Sequence, residues 1–115
     1  DPIELTHIWI TDEYLNFEYL YVGGDPRKKH IVNLVKPLIQ PSKEYTLFEF
    51  KHNAYEDPAN MAVNGDVSFR LDEVFPDITE PVKIRIKYQN YNNEKTFDLV
   101  YTPLKIKQEA SQIVQ

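Results

Sequence analysis

A chain of 115 residues is one domain, near the commonest domain size, and long enough to bury roughly two-thirds of its unfolded surface without staples. It has no cysteine, which excludes disulfides and thiolate metal sites, though that does not fix the compartment. The net charge is −5 and the basic residues are scattered, which disfavours nucleic acid, and no apolar run approaches the roughly 18–20 residues that cross a bilayer as a helix.

Aromatics make up 13% of the chain, tyrosine is the commonest of them, and glycine occurs only three times. Aromatic and β-branched residues fit a pleated, half-buried surface, so the bias is toward strands. The first is predicted over Ile3 to Ile10, with Ile3, Leu5, His7 and Trp9 on one face and Glu4, Thr6, Ile8 and Ile10 on the other. Thr11-Asp12-Glu13 is a polar turn into a second strand, Tyr14 to Val22, whose stripe is Leu15, Phe17, Tyr19 and Tyr21. Gly23-Gly24-Asp25-Pro26 breaks it, and Arg27, Lys28 and Lys29 form a solvated cationic tip.

His30 to Val35 is the third strand; Pro37 and Pro41 then limit regular pairing. Tyr45 to Asn53 reads as the middle strand, with Thr46, Phe48, Phe50 and His52 on one face and Tyr45, Leu47, Glu49 and Lys51 on the other. A hairpin centred near Pro41 sets His30 against His52 and Asn33 against Glu49. Asn53 to Asp66 is the longest segment without strand character, and its Asn64-Gly65 is a turn dipeptide. Asp66 to Leu71 then alternates, with Val67, Phe69 and Leu71 inward. Asp72 to Pro81 is an acidic, proline-bearing loop that hides Val74, Phe75 and Ile78. Val82 to Tyr88 and Thr96 to Thr102 form a hairpin around Asn90 to Asn93, with Lys83, Arg85 and Lys87 outward and Phe97, Leu99 and Tyr101 inward.

About seven short strands with one buried face each predict an all-β fold, an antiparallel two-sheet β-sandwich of immunoglobulin-like outline; a partly open barrel is the alternative. The sandwich is expected to occupy residues 1–103. Residues 104–115 form a tail whose weak pattern suits a short helix, an edge strand or a frayed end. The start at Asp1-Pro2, without an initiator Met, is expected of an excised domain or a processed product, with any signal peptide upstream.

Several segments together resemble a known family. They are Asp1-Pro2-Ile3-Glu4, Ile8-Trp9-Ile10, Tyr14-Leu15-Asn16, Lys29-His30, Asn33-Leu34-Val35, Glu49-Phe50-Lys51-His52-Asn53, Val67-Ser68-Phe69-Arg70-Leu71 and Lys87-Tyr88. Their order and spacing, more than any single motif, are similar to the C-terminal domain of NigD-like proteins, over nearly the whole chain short of its tail. The resemblance implies a bacterial cell-envelope lipoprotein, periplasmic or outer-membrane. It also implies a small β-barrel domain ahead of this one, no established enzymatic activity and no catalytic residues to carry over. Partners expected on that basis are the N-terminal domain of the same protein and an envelope protein or glycan.

The candidate chemistry is sparse. His30 and His52, set side by side with Asp25 or Glu49, have the donor types of a zinc site, which makes a metal- or ligand-dependent hydrolase the alternative to a binding module. Imidazoles at strand ends more often satisfy backbone groups, so no metal or other cofactor is assigned. Glu56, Asp57, Asn60, Asn64 and Asp66 are calcium-type oxygen donors, but their spacing matches no EF-hand loop and suits turns as well. Trp9, Tyr14, Tyr19, Tyr21, Tyr55 and Tyr91 offer rings for a sugar or peptide, although most are needed for the core. Tyr55 and Tyr91, in predicted loops, and His52 and Asn53, at the lip of the longest loop, are the ligand-binding candidates. Lys83, Arg85 and Lys87 read as the wet face of a sheet, paired with Asp98 or Glu94. No Gly-x-Ser-x-Gly, no cysteine nucleophile and no phosphate loop accompany them. The expectation is a non-enzymatic binding or structural module.

Overall fold

The computed structural model describes residues 1–23, 31–53 and 61–104. They form seven strands: β1 (Glu4–Thr11), β2 (Tyr14–Gly23), β3 (Ile31–Val35), β4 (Thr46–Asn53), β5 (Met61–Arg70), β6 (Val82–Gln89) and β7 (Glu94–Tyr101). One sheet has the order β1-β2-β5 and the other β3-β4-β6-β7. Their inner faces meet in a core that includes Leu15 and Phe17 from β2, Phe48 and Phe50 from β4, Ile84 and Ile86 from β6, and Tyr101. Phe17 and Phe50 touch across the two layers with ring centroids 4.7 Å apart. Val74, Phe75 and Ile78 pack against this core from the loop after β5, as the sequence predicts.

β4 alternates as expected, with Phe48, Phe50 and His52 buried and Lys51 and Asn53 exposed. Three other expectations need correction. The first concerns β1, where strict alternation puts His7 and Trp9 on the same face as Leu5. A break in register between Leu5 and His7 shifts the phase instead. Leu5 and then Ile8 are buried, while His7 and Trp9 stack on each other at 4.2 Å. The apolar spacing of Leu5 to Ile8 is the trace of that bulge in the sequence.

The second correction is the Asn64-Gly65 dipeptide, which is not a turn. β5 begins at Met61, and Gly65 lies inside it, opposite Tyr19 of β2. A Cβ at Gly65 would stand 2.5 Å from the Tyr19 ring and hydroxyl. Glycine is there because an aromatic ring crosses the strand, not because the backbone bends.

The third is pairing. An antiparallel outline predicts antiparallel neighbours throughout, but β4 and β6 run parallel, from Thr46↔Ile84 to Glu49↔Lys87. The chain leaves β4 for the other sheet as β5 and returns as β6, which supplies the crossover that a parallel pair needs. The β3–β4 register also differs from a hairpin centred on Pro41. Val32 faces His52, Asn33 faces Lys51, and Val35 faces Glu49. The long connection explains the slip. Its Gln40 side chain accepts from Leu47 N–H at 2.6 Å and donates to the carbonyls of Pro37 and Leu47, standing in for a strand partner. That lock leaves Leu38 and Ile39 pointing into solvent.

Beyond Glu49↔Lys87 the parallel pair opens, and the N-terminal residues enter the gap. The Asp1 amino group donates to His52 C=O at 2.9 Å, and Ile3 N–H donates to Gln89 C=O at 3.0 Å. Ile3 is fully buried there.

Candidate functional site

The residues that sequence reasoning singles out fall in different places. His30 and Tyr55 lie outside the described residues, as do Asp25, Glu56, Asp57 and Asn60. His52 is only 6% exposed. Its Nδ1 is 3.1 Å from Pro2 C=O, and its ring lies 4.9 Å from that of Tyr21. The geometry uses the imidazole to fasten the N-terminal residues into the gap between β4 and β6. Asn53, the next residue, ends β4 on its exposed face. Glu49 points to the opposite face from His52 by strand alternation, so that carboxylate and that imidazole do not converge. Among the described residues no three His, Asp or Glu side chains group as metal ligands. Asn64 and Asp66 sit on the exposed row of β5.

Tyr91 has its ring half in solvent, but its hydroxyl accepts a hydrogen bond from Val22 N–H at 2.9 Å. β1 pairs with β2 only as far as Glu4↔Leu20, and the phenol satisfies the amide beyond that end. Asn90 supports the same turn. It is buried, and its Oδ1 accepts from Asn92 N–H and Asn93 N–H at 2.9 and 2.8 Å.

The functional groups that do come together lie on the outer face of the four-stranded sheet. Because β4 and β6 are parallel, Glu49 of one falls beside Lys87 of the other, and the β6–β7 register sets Arg85 against Asp98. The result is a chain of charges: Lys51 to Glu49 at 3.1 Å, Glu49 to Lys87 at 3.3 Å, and Lys87 to Glu94 at 3.0 Å. Arg85 holds Asp98 with two bonds, at 2.7 and 3.0 Å, and its guanidinium lies 4.1 Å from the centre of the Tyr45 ring. The outward basic row and its pairing with Asp98 and Glu94 are as the sequence predicts.

The charges answer each other. Hydrogen bonding to Lys51, and then to Lys87, holds the Glu49 carboxyl below the usual carboxylate range. Arg85 does the same to Asp98 and is itself driven further up. Glu94 foremost, with Glu49, raises Lys87. Lys83, on the same row, has no such partner among the described residues.

Tyr45, Lys83, Arg85, Asp98 and Val100 border an open hollow of about 460 Å³, with Glu44 also in its lining. A smaller one, about 200 Å³, lies between Asp1, His52 and the Glu49–Lys87 pair. The larger has an aromatic ring, an aliphatic patch, an unpaired ammonium and fixed charges of both signs. Groups of that kind hold a polar surface by contact; no nucleophile–base pair stands among them. Tyr45 is the ring that sequence reasoning missed. Its position just before β4, two strands away from Asp98, gives no local signal.

Comparison with known proteins bears on this fold. A family model described as the NigD-like C-terminal beta sandwich domain matches residues 1–101. No curated protein matches the chain. Among solved structures, one from Parabacteroides distasonis, described as toxin-related, is 32% identical with a TM-score of 0.76, over 97% of this chain and 56% of its own. A Bacteroides vulgatus protein of unknown function is 24% identical (TM-score 0.70; 90% and 50% covered). A NigD-like immunity protein from Bacteroides caccae is 20% identical (TM-score 0.73; 90% and 55% covered), a likeness of fold. The chain thus spans about half the length of these proteins, none of which is described as an enzyme. The match over residues 1–101 makes the chain a member of the NigD-like family, corresponding to its C-terminal β-sandwich domain.

Proposed function

We propose that this domain is a non-enzymatic binding module of a bacterial cell-envelope lipoprotein, and that it holds a protein partner against the outer face of its four-stranded sheet. The observation that carries the reading is the hollow bordered by Tyr45, Lys83, Arg85, Asp98 and Val100. Its charges are already fixed by Arg85–Asp98 and by the stacking of Arg85 on Tyr45, so little ordering remains when a partner docks. Tyr and Arg are also the residue types that anchor protein interfaces. The name of the Bacteroides caccae neighbour, an immunity protein, favours a protein over a glycan as partner. The envelope location rests on the family alone.

The test uses the full-length protein. Tagged wild type and a Tyr45→Ala, Lys83→Glu double variant are each incubated with solubilised envelope extract, with Asn64→Ala as a remote control. A protein retained by wild type and by the control, and lost at least tenfold from the double variant, supports the site. Equal retention by all three refutes it. Labelling of the full-length protein by a fatty-acid analogue tests the lipoprotein assignment separately, and an unlabelled protein that stays in the aqueous phase refutes that part.

A further inference from the structure

Among the described residues, β7 is a long regular edge strand that exposes apolar side chains. Four strands border a sheet: β1, β3, β5 and β7. The bulge of β1 breaks its edge. β3 spans five of the described residues; the exposed row of β5 is polar at Asn64, Asp66, Ser68 and Arg70, while that of β7 is polar at Glu94, Thr96 and Asp98 but ends in Val100. Bulges, shortness and charged rows are the ordinary ways to stop strands from pairing with other chains. β7 runs eight residues with no register break and no proline inside, and it exposes Phe97 (43%) and Val100 (56%).

The direction of its free backbone groups follows from the turn. Asn90 N–H donates to Asn93 C=O at 3.0 Å, so that pair is a hydrogen-bonded one. In an antiparallel ladder such pairs alternate with non-bonded ones. The main-chain groups of Lys95, Phe97, Leu99 and Tyr101 therefore face β6, and those of Glu94, Thr96, Asp98 and Val100 face away from it. Arg85↔Asp98 is then a non-bonded pair, where side chains come closest, in agreement with their double contact.

We propose that this edge pairs with a second copy of the same chain, β7 to β7, antiparallel about a two-fold axis at Phe97. The strand's own sequence selects the occupant and the register. With Phe97 facing its symmetry mate, Thr96 faces Asp98 of the other copy, hydroxyl to carboxylate, and Glu94 faces Val100. Both of those pairs consist of residues whose amides and carbonyls already point outward, so each exchanges two backbone bonds. A slip by two residues one way sets Asp98 against Asp98; the other way, Glu94 against Asp98. Like charges directly opposite are unfavourable. A slip by one residue mismatches the bonding phase. The product is one continuous sheet of both copies, with exposed Phe97 rings brought together on its inner side and the two Tyr45–Arg85 hollows on its outer side. It goes beyond partner binding at the hollow and does not depend on it.

The chain's lack of cysteine makes the register testable. Phe97→Cys places two thiols at a non-bonded pair, the spacing that a disulfide spans. Lys95→Cys is the control, because its two copies stand about 13 Å apart in this register. Mild oxidation of the folded chain should cross-link Phe97→Cys almost fully and leave Lys95→Cys at least tenfold behind. Wild type should sediment as a concentration-dependent dimer at about 100 µM and above. Thr96→Pro removes an outward N–H that β6 does not use, and should raise the dissociation constant at least tenfold with the melting transition retained. Phe97→Lys is the second disrupting variant should Thr96→Pro unfold. A wild-type chain that stays monomeric across that range, or equal cross-linking of Phe97→Cys and Lys95→Cys, overturns the proposal.

Discussion

The two ends of β4 belong to one strand and have different surroundings. At its C-terminal end, His52 is buried against Tyr21 and fastened to Pro2, and the Asp1 amino group bonds to its carbonyl. At its N-terminal end, Tyr45 carries the Arg85 guanidinium over an open hollow. The first end holds unusual residues because the parallel β4–β6 pair opens there and the gap must be filled. The second gathers charged and aromatic groups, Arg85, Asp98 and Tyr45, around an open hollow. An unusual side chain is thus a sign of function only after its structural duties are subtracted.

Several substitutions sharpen the contrast, beginning with the core that both ends share. Phe50→Ala removes the ring that meets Phe17 across the layers and should cost about 3–5 kcal/mol in urea unfolding. Gly65→Ala drives a methyl into Tyr19, which is already held between Tyr21 and Phe50, and should cost about 1–3 kcal/mol by the same assay. His52→Ala leaves Pro2 C=O without its imidazole and should cost about 1–3 kcal/mol, with faster amide exchange at Ile3 as its local signature. A Gly65→Ala protein as stable as wild type would mean that the Tyr19 ring does not cross the strand.

Acid titration has the smallest effect. Glu49 and Asp98 have carboxyls held below their ordinary range by Lys51 and Arg85. For a lowered carboxyl the favourable contribution is fully present above its unfolded value, about 4, and is lost as pH falls through the folded one. Urea midpoints should therefore drop from pH 6 to pH 3, and a Glu49→Gln variant should drop less. The pairs are exposed and screened, so the change should be smaller than that of His52→Ala and should shrink further in salt.

Much of the sandwich was legible from alternation alone. Leu15, Phe17, Phe48, Phe50, Ile84 and Ile86 stand on the faces that a period of two assigns them, and all are buried. Pro37 and Pro41 mark the break between β3 and β4. Most of the misreadings share one cause, contacts made at long range. Gly65 looks like a turn until Tyr19 is known to lie over it. The phase change in β1 is a spacing of three that alternation reads as noise. The parallel β4–β6 pair leaves no local mark, and the hollow depends on it, since that pair sets Tyr45 beside Arg85. The basic row and its acidic partners were legible because a hairpin brings them together. Tyr91 was not, because its hydrogen bond reaches Val22, far away in sequence.

The most direct test sets the two ends of β4 against each other in one capture experiment on the full-length protein. Tyr45→Ala and His52→Ala are compared with wild type for envelope protein retained per folded molecule, with folded fractions taken from unfolding curves. Loss of retention by Tyr45→Ala at near-normal stability, with His52→Ala destabilised but retaining normally, is the predicted result. Normal retention by Tyr45→Ala and loss by a fully folded His52→Ala would place the function at the other end and contradict the account.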